Sequence, residues 1–187
     1  VVDYQKYKVV KVNKFEKLTL VWIGTQSTVK YLTSIIAILK KLKKDYDINI
    51  ICLGANVKDK EIISMKWSEE NEIEILKKSH IGIMPLFNDE WSKSKCGFKI
   101  LQYMASGIPV VASDVGQNKV IVDKDIGYLI KENSEWYTKL ELLITNKQTR
   151  TMFGINGNKK LVKDYTYEVA FPKLLEIIKI VEKITFI

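Results

Sequence analysis

Four short apolar runs bounded by glycine or proline constrain this chain more than any other feature. They are residues 18–24 (LTLVWIG), 49–54 (NIICLG), 81–86 (IGIMPL) and 109–113 (PVVAS). The runs are continuous rather than alternating, so each is expected to be buried on both faces, as a strand inside a parallel sheet is. Two weaker strands are expected at 61–67 (EIISMKW) and 126–130 (IGYLI). Between them lie stretches of helical period. Residues 28–44 put Val29, Leu32, Ile35, Ile36, Leu39 and Leu42 on one face with lysines opposite. Residues 69–79 begin with Glu and end with Lys, matching the helix dipole. Residues 94–106 turn Phe98, Leu101 and Met104 inward and stop at Gly107 and Pro109. From Ser134 onward the pattern is helical, with Trp136, Leu140, Leu143 and Ile144 on one face. Pro172 fits the first turn of a last helix carrying Leu175, Ile178 and Val181. Strands alternating with helices are βαβ units. The expected fold is α/β, a Rossmann-like parallel sheet of about six strands with helices on both faces.

The length of 187 residues suits one full-sized domain. An apolar share of 47% with 28% charged residues is that of a folding globule, not a disordered chain. No window approaches the ~18 uncharged apolar residues of a membrane span. One His and two separated cysteines, Cys52 and Cys96, exclude a His/Cys zinc site and a disulfide framework. They argue for a reducing compartment, hence the cytoplasm. The net charge is +8, yet among 30 basic residues Arg150 is the lone arginine. Base-edge readout favours the planar arginine fork, so nucleic acid is not the expected partner. The lysine excess suits an anionic lipid surface or a phosphorylated ligand.

In a sheet of this kind ligands bind beyond the carboxyl ends of the strands, which directs attention to two loops. The first is Gly24-Thr25-Gln26-Ser27-Thr28. Gly24 permits close approach to the backbone, while Ser27 or Thr28 can cap the next helix, whose free amides favour an anion. It is neither a G-x-G-x-x-G nor a P-loop fingerprint, and taken alone it reads first as a plain structural hydroxyl cap, as most such caps are. The second loop, residues 89–99 (DEWSKSKCGFK), gathers three lysines and a glycine near a helix start. Lys95 and Lys99, four apart, share a face if both are helical, and an anion between them would relieve their repulsion.

Residues 95–116 read KCGFKILQYMASGIPVVASDVG. This stretch resembles the signature of the group 1 (family 4) nucleotide-sugar glycosyltransferases, E-G-F-G-L-x-x-L-E-A-M-A-x-G-x-P-V-V-A-[ST]-x-x-G-G. The resemblance runs from about Leu18 to the C-terminus and is most specific between Pro85 and Gly116. It implies the C-terminal, donor-binding half of a two-domain GT-B fold. Residues 1–17 would then be the remnant of the interdomain hinge and 18–187 the nucleotide-sugar-binding domain. The family's two glutamates fall on Ser94 and Gln102 here. A subgroup with W-x-x-x-K-C-G-F-K-x-L-Q-Y-M-A-x-G-x-P-V-V-A-S is closer. Gln102 can still bond ribose hydroxyls, whereas Ser94 cannot replace a carboxylate near the donor sugar. The family's basic pair after the first strand has no counterpart. Ser27, Thr28 and the helix amides, with Lys95 and Lys99, would hold the diphosphate.

The resemblance therefore implies donor-binding residues Gly24, Thr25, Ser27, Thr28, Trp67, Ser94, Lys95, Gly97, Phe98, Lys99 and Gln102, no metal and no cofactor beyond the nucleoside-diphosphate sugar itself. It implies retaining transfer to a glycan or lipid-linked acceptor in cell-envelope polysaccharide assembly. Acceptor site and catalytic residues would lie on a separate N-terminal domain that packs against the apolar end of the chain, residues 180–187. The fragment alone would be inactive. Contact with the inner face of an anionic membrane fits the lysine surface. Trp67 stacks on a base or belongs to the core; Trp91 closes the pocket or meets the other domain. His80 reads as structural, and Asp114 and Asp125 as turn residues. Two alternatives stay open: a non-catalytic binding module, and an epimerase-like relative, which would need carboxylates in the cleft, where only Asp89 and Glu90 are near.

Overall fold

The computed structural model describes residues 1–8 and 13–185. Strands β1 (Leu18–Ile23), β2 (Ile48–Leu53), β3 (Ile63–Met65), β4 (Ile81–Met84), β5 (Val110–Ser113) and β6 (Gly127–Ile130) form one sheet in the order β3-β2-β1-β4-β5-β6. Every pairing is parallel. The helices are α1 (Tyr4–Tyr7), α2 (Val29–Thr33), α3 (Ile36–Asp45), α4 (Glu69–Lys78), α5 (Glu90–Lys93), α6 (Phe98–Ala105), α7 (Asn118–Ile121), α8 (Glu135–Thr145), α9 (Lys147–Asp164) and α10 (Tyr167–Thr185). The strand pleat divides the core in two. Leu20, Trp22, Ile50 and Ile83 meet Leu32, Leu39, Leu42, Trp136 and Leu140 on one face. Val21, Ile23, Leu53 and Ala112 meet Leu76, Leu101, Tyr103 and Met104 on the other. The six strands fall where the apolar runs place them. Among the described residues no helix is long and apolar enough to cross a membrane.

Four helical expectations need correction. The helix expected over 28–44 is two, because Thr33 and Ser34 donate their hydroxyls to the Lys30 and Tyr31 carbonyls (3.1 and 2.7 Å) and end α2. Its apolar face survives the break: Leu32, Ile35, Leu39 and Leu42 are all buried. The helix expected from Ser94 begins only at Phe98. Ser94 closes α5 by donating to the Trp91 carbonyl (2.8 Å), and Gly97, at φ +71°, reverses the chain before α6. Phe98, expected in the core, is 44% exposed because it stands in the first turn of α6, at the carboxyl edge of the sheet. Pro172 lies inside α10, not in its first turn. The ring removes a bond to the carbonyl of Glu168, an exposed residue that water can serve.

The stretch expected as a hinge docks its first residues on the domain; residues 9–12 of it lie outside the described residues. Val2 and Tyr7 are buried, and the Val2 amide donates to the Tyr165 carbonyl (3.0 Å). Arg150 spends its guanidinium on the Leu143 and Ile144 carbonyls at the end of α8 (2.6 and 2.9 Å), a structural use.

His80 accepts the Thr19 amide at Nδ1 (3.1 Å), which confirms a structural role. Burial, then the charges of Lys14 and Arg150, push its pKa down to about 4. Between pH 6.5 and about 4 the unfolded chain binds a proton that the folded chain does not, so stability falls as pH is lowered through that window. The expected loss is on the order of 3 kcal/mol at most. Urea denaturation at pH 7 and 4.5 should show a steeper loss for the unaltered chain than for His80→Asn.

Two glycines shape the carboxyl edge. A Cβ on Gly54, at φ +94°, would meet the Gly24 carbonyl oxygen at 2.3 Å; one on Gly97 would meet the Ile121 Cδ1 methyl at 2.5 Å. A methyl can rotate away and a carbonyl in a strand-end turn cannot. Both alanine variants should lose about 1–2 kcal/mol to the left-handed backbone, and Gly54→Ala clearly more, by chemical denaturation.

Candidate functional site

The strand order reverses between β1 and β4, and the chains leaving their carboxyl ends diverge to opposite faces. A cleft of about 670 Å³ opens there. Its floor is Ile23-Gly24-Thr25 and Gly54; Trp67 and Glu72 form one wall, and Phe98, Lys99 and Gln102 of α6 the other. Tyr7 and Glu69 complete the lining. Gly24 and Gly54 hold the floor low: the Gly24 amide donates to the Leu53 carbonyl (3.0 Å) and the Gly54 amide to that of Met65 (2.9 Å).

Of the residues singled out in the sequence, Gly24, Thr25, Trp67, Phe98, Lys99 and Gln102 converge on this cleft. Ser27, Thr28, Ser94, Lys95 and Gly97 are not in its lining. Thr28 does not cap α2; its hydroxyl donates to the Thr25 carbonyl (3.1 Å) and accepts the Thr25 amide (3.0 Å). The Ser27 hydroxyl lies 2.8 Å from that of Thr25, so both knit the loop. Ser94 is spent closing α5, and Gly97 is the turn before α6. Lys95 sits in the connecting loop, so it does not stack on Lys99 along one helix. Its ammonium lies over the Tyr31 and Trp91 rings, at 5.4 and 5.6 Å from their centroids. Trp91 is exposed and outside the cleft lining. Trp67 is not core: it is 53% exposed, with its indole N–H donated to Glu72 Oε2 at 2.7 Å.

Among the described residues Lys99 is the one lysine in the cleft lining. Burial, and then the neighbouring Lys95 charge, pull its pKa below the ordinary lysine value, while Glu72 opposes them. Among the described residues neither Lys95 nor Lys99 has a carboxylate within ion-pair distance. No side chain caps α6, so its first amides are open beside Lys99. A half-buried ammonium next to free amides is a place where an anion gains more than it would in water.

Glu72 and Tyr7 were missed by sequence reasoning. Glu72 reads as one more acid in the first turn of α4, but it shares a face with Ile75, Leu76 and Ser79, all buried. That spacing could have marked it as inward. Tyr7 lay in a stretch without a visible period.

A second depression, about 590 Å³, lies among lysines at the amino-terminal edge of β1 and β2. There Lys17 pairs with Asp47, Lys40 with Asp59 (3.0 Å) and Lys43 with Glu61 (3.2 Å), which leaves much of its charge already matched. Among the described residues no three His, Cys, Asp or Glu side chains cluster as a metal site would require.

Residues 17–146 match the family described as glycosyl transferases group 1. No curated protein matches the chain significantly. Among solved structures, the C-terminal domain of a glycosyl transferase group 1 family protein from Francisella tularensis is similar at 20% identity, over 89% of this chain and 100% of that one, with a TM-score of 0.71. Sucrose-phosphate synthase from Thermosynechococcus elongatus is similar at 11% identity over 97% of this chain and 51% of that one, TM-score 0.79. Anabaena HepE, solved with UDP and glucose, is similar at 14% identity over 95% of this chain and 55% of that one, TM-score 0.78. The chain thus spans about half the length of the latter two, and at these identities the likeness is one of fold. With the family matched over most of its length, the chain belongs to the group 1 glycosyltransferases and has the Rossmann-like fold of their C-terminal GT-B domains.

Proposed function

We propose that the cleft binds a nucleoside diphosphate sugar and that this domain is the donor-binding half of a retaining glycosyltransferase acting on a glycan or lipid-linked acceptor. The observation that carries this reading is Lys99, an unpaired and partly desolvated ammonium at the uncapped start of α6. The diphosphate would sit against Lys99 and the first amides of α6, with Lys95 at longer range. As the glycosidic bond breaks, negative charge grows on the leaving diphosphate, and groups already fixed around it stabilise that charge without reorganising. In this reading ammonium and amide groups meet it, rather than a bound cation. Trp67 and Phe98, both exposed at the rim, offer flat apolar faces for the base. Gln102 faces the ribose. That HepE was solved with UDP and glucose supports the ligand class.

The acceptor and the catalytic groups would belong to an N-terminal domain. Along α10, Phe171, Leu174, Ile177 and Ile178 are exposed, an apolar surface that such a domain would cover. Of the apolar end expected to meet it, the side chains of 183–187 lie outside the described residues. We place the enzyme in the cytoplasm, with its lysine surface able to meet the inner face of an anionic membrane during cell-envelope polysaccharide assembly. An epimerase-like role is disfavoured. Asp89 caps α5 at the Ser92 amide (2.7 Å) and Glu90 pairs with Lys93. Glu72 is engaged by three donors and Glu69 by Lys6.

A thermal-shift panel of nucleoside diphosphates should raise the midpoint at millimolar ligand. In calorimetry Lys99→Ala should weaken nucleoside diphosphate binding about tenfold, the size of one charge-assisted contact. Unchanged affinity, or a panel without any shift, would contradict the reading.

A further inference from the structure

Glu72 belongs to α4, yet its carboxylate meets groups from three other segments. It is 6% exposed, and Gln102 is 4% exposed. Oε1 of Glu72 accepts from the Tyr7 hydroxyl at 2.7 Å and from Nε2 of Gln102. Oε2 accepts from the Trp67 indole at 2.7 Å. Nε2 of Gln102 also donates to the Tyr7 oxygen at 2.8 Å. The proton positions in this network are fixed by chemistry. A carboxylate only accepts, so Tyr7 must give its single proton to Glu72, and the amide must turn its NH2 edge toward both. Both amide protons of Gln102 are then consumed. Its amide oxygen is left on the opposite edge, in a side chain that forms part of the cleft wall. Among the described residues no donor reaches that oxygen, and it is not among the buried atoms left without a partner.

We propose that Glu72 and Tyr7 are positioning residues that hold Gln102 with its oxygen toward the cleft, so that this wall selects ligands carrying hydroxyl donors, the vicinal diol of a ribose. The inference rests on the nucleotide reading above. An unconstrained glutamine offers either edge and discriminates poorly between donors and acceptors. Tied to Glu72, it presents the acceptor that a carboxylate would present. Burial and the Glu72 charge raise the Tyr7 pKa despite the opposing bond from Gln102, so its hydroxyl keeps its proton and the orientation holds at working pH.

Calorimetric titration of the whole chain with UDP, GDP and ADP, each beside its 2′,3′-dideoxy counterpart, tests this. The unaltered chain should prefer the ribose form of whichever nucleotide it binds by about tenfold, the yield of two ordinary hydrogen bonds. Glu72→Gln lets the facing amides flip and should reduce that preference to about twofold. The exchange Glu72→Gln with Gln102→Glu again leaves an acceptor facing the cleft and should restore it. Tyr7→Phe, which keeps the carboxylate, should give an intermediate preference and serves where Glu72→Gln does not fold. Equal loss of affinity for both forms, an exchange variant that does not recover, or an unchanged preference in Tyr7→Phe would overturn the positioning role. Failure of every nucleotide to bind the unaltered chain would instead overturn the donor reading on which it rests.

Discussion

A buried carboxylate in the cleft wall organises the carboxyl edge of this domain. A carboxylate away from water needs donors, and Glu72 draws them from separate parts of the chain: Tyr7 from α1, Trp67 from the turn before α4, and Gln102 from α6. Held together, they tie the N-terminal segment to the sheet, fix the edge of an exposed indole, and set the orientation of an amide. The cleft wall thereby acquires a defined donor and acceptor pattern from residues that are far apart in sequence.

Charge is distributed on the same principle. Lys6, Lys17, Lys40, Lys43, Lys78, Lys93 and Lys160 each have a carboxylate within 4.0 Å, and exposed pairs of this kind contribute little to stability. Lys95 and Lys99 differ. One lies over aromatic rings, the other is half-buried beside open helix amides, and neither is neutralised by an acid. The net positive charge of the whole chain is thus a poor guide to its ligand. Lys99, among the described residues the one lysine in the lining of the cleft, is the informative one.

The architecture was legible in the sequence because burial on both sheet faces forces continuous apolar runs, which mark β1, β2, β4 and β5; the exposed edge strand β3 and the half-buried β6 carry weaker patterns. Helix boundaries were less legible where local hydroxyl bonds decided them, as at Ser34 and Ser94, or where a left-handed glycine intervened, as at Gly97. Gly24, Thr25, Trp67, Phe98, Lys99 and Gln102 could be placed at the cleft because strand ends and a helix start are visible as patterns. Glu72 and Tyr7 could not, because their role depends on segments that meet only after folding. Thr28 and Lys95 look like ligand groups in one dimension; in three, one is spent within its own loop and the other on aromatic faces.

The central claim is that a nucleoside diphosphate occupies the cleft at the start of α6. Amide chemical-shift mapping of the isotope-labelled chain during titration with UDP, GDP or ADP tests it most directly. The account predicts saturable shifts at Gly24, Thr25, Gly54, Phe98, Lys99 and Gln102, together with the Trp67 indole N–H. Shifts confined to the lysine depression around Lys40 to Lys44, at the opposite edge of the sheet, would contradict it.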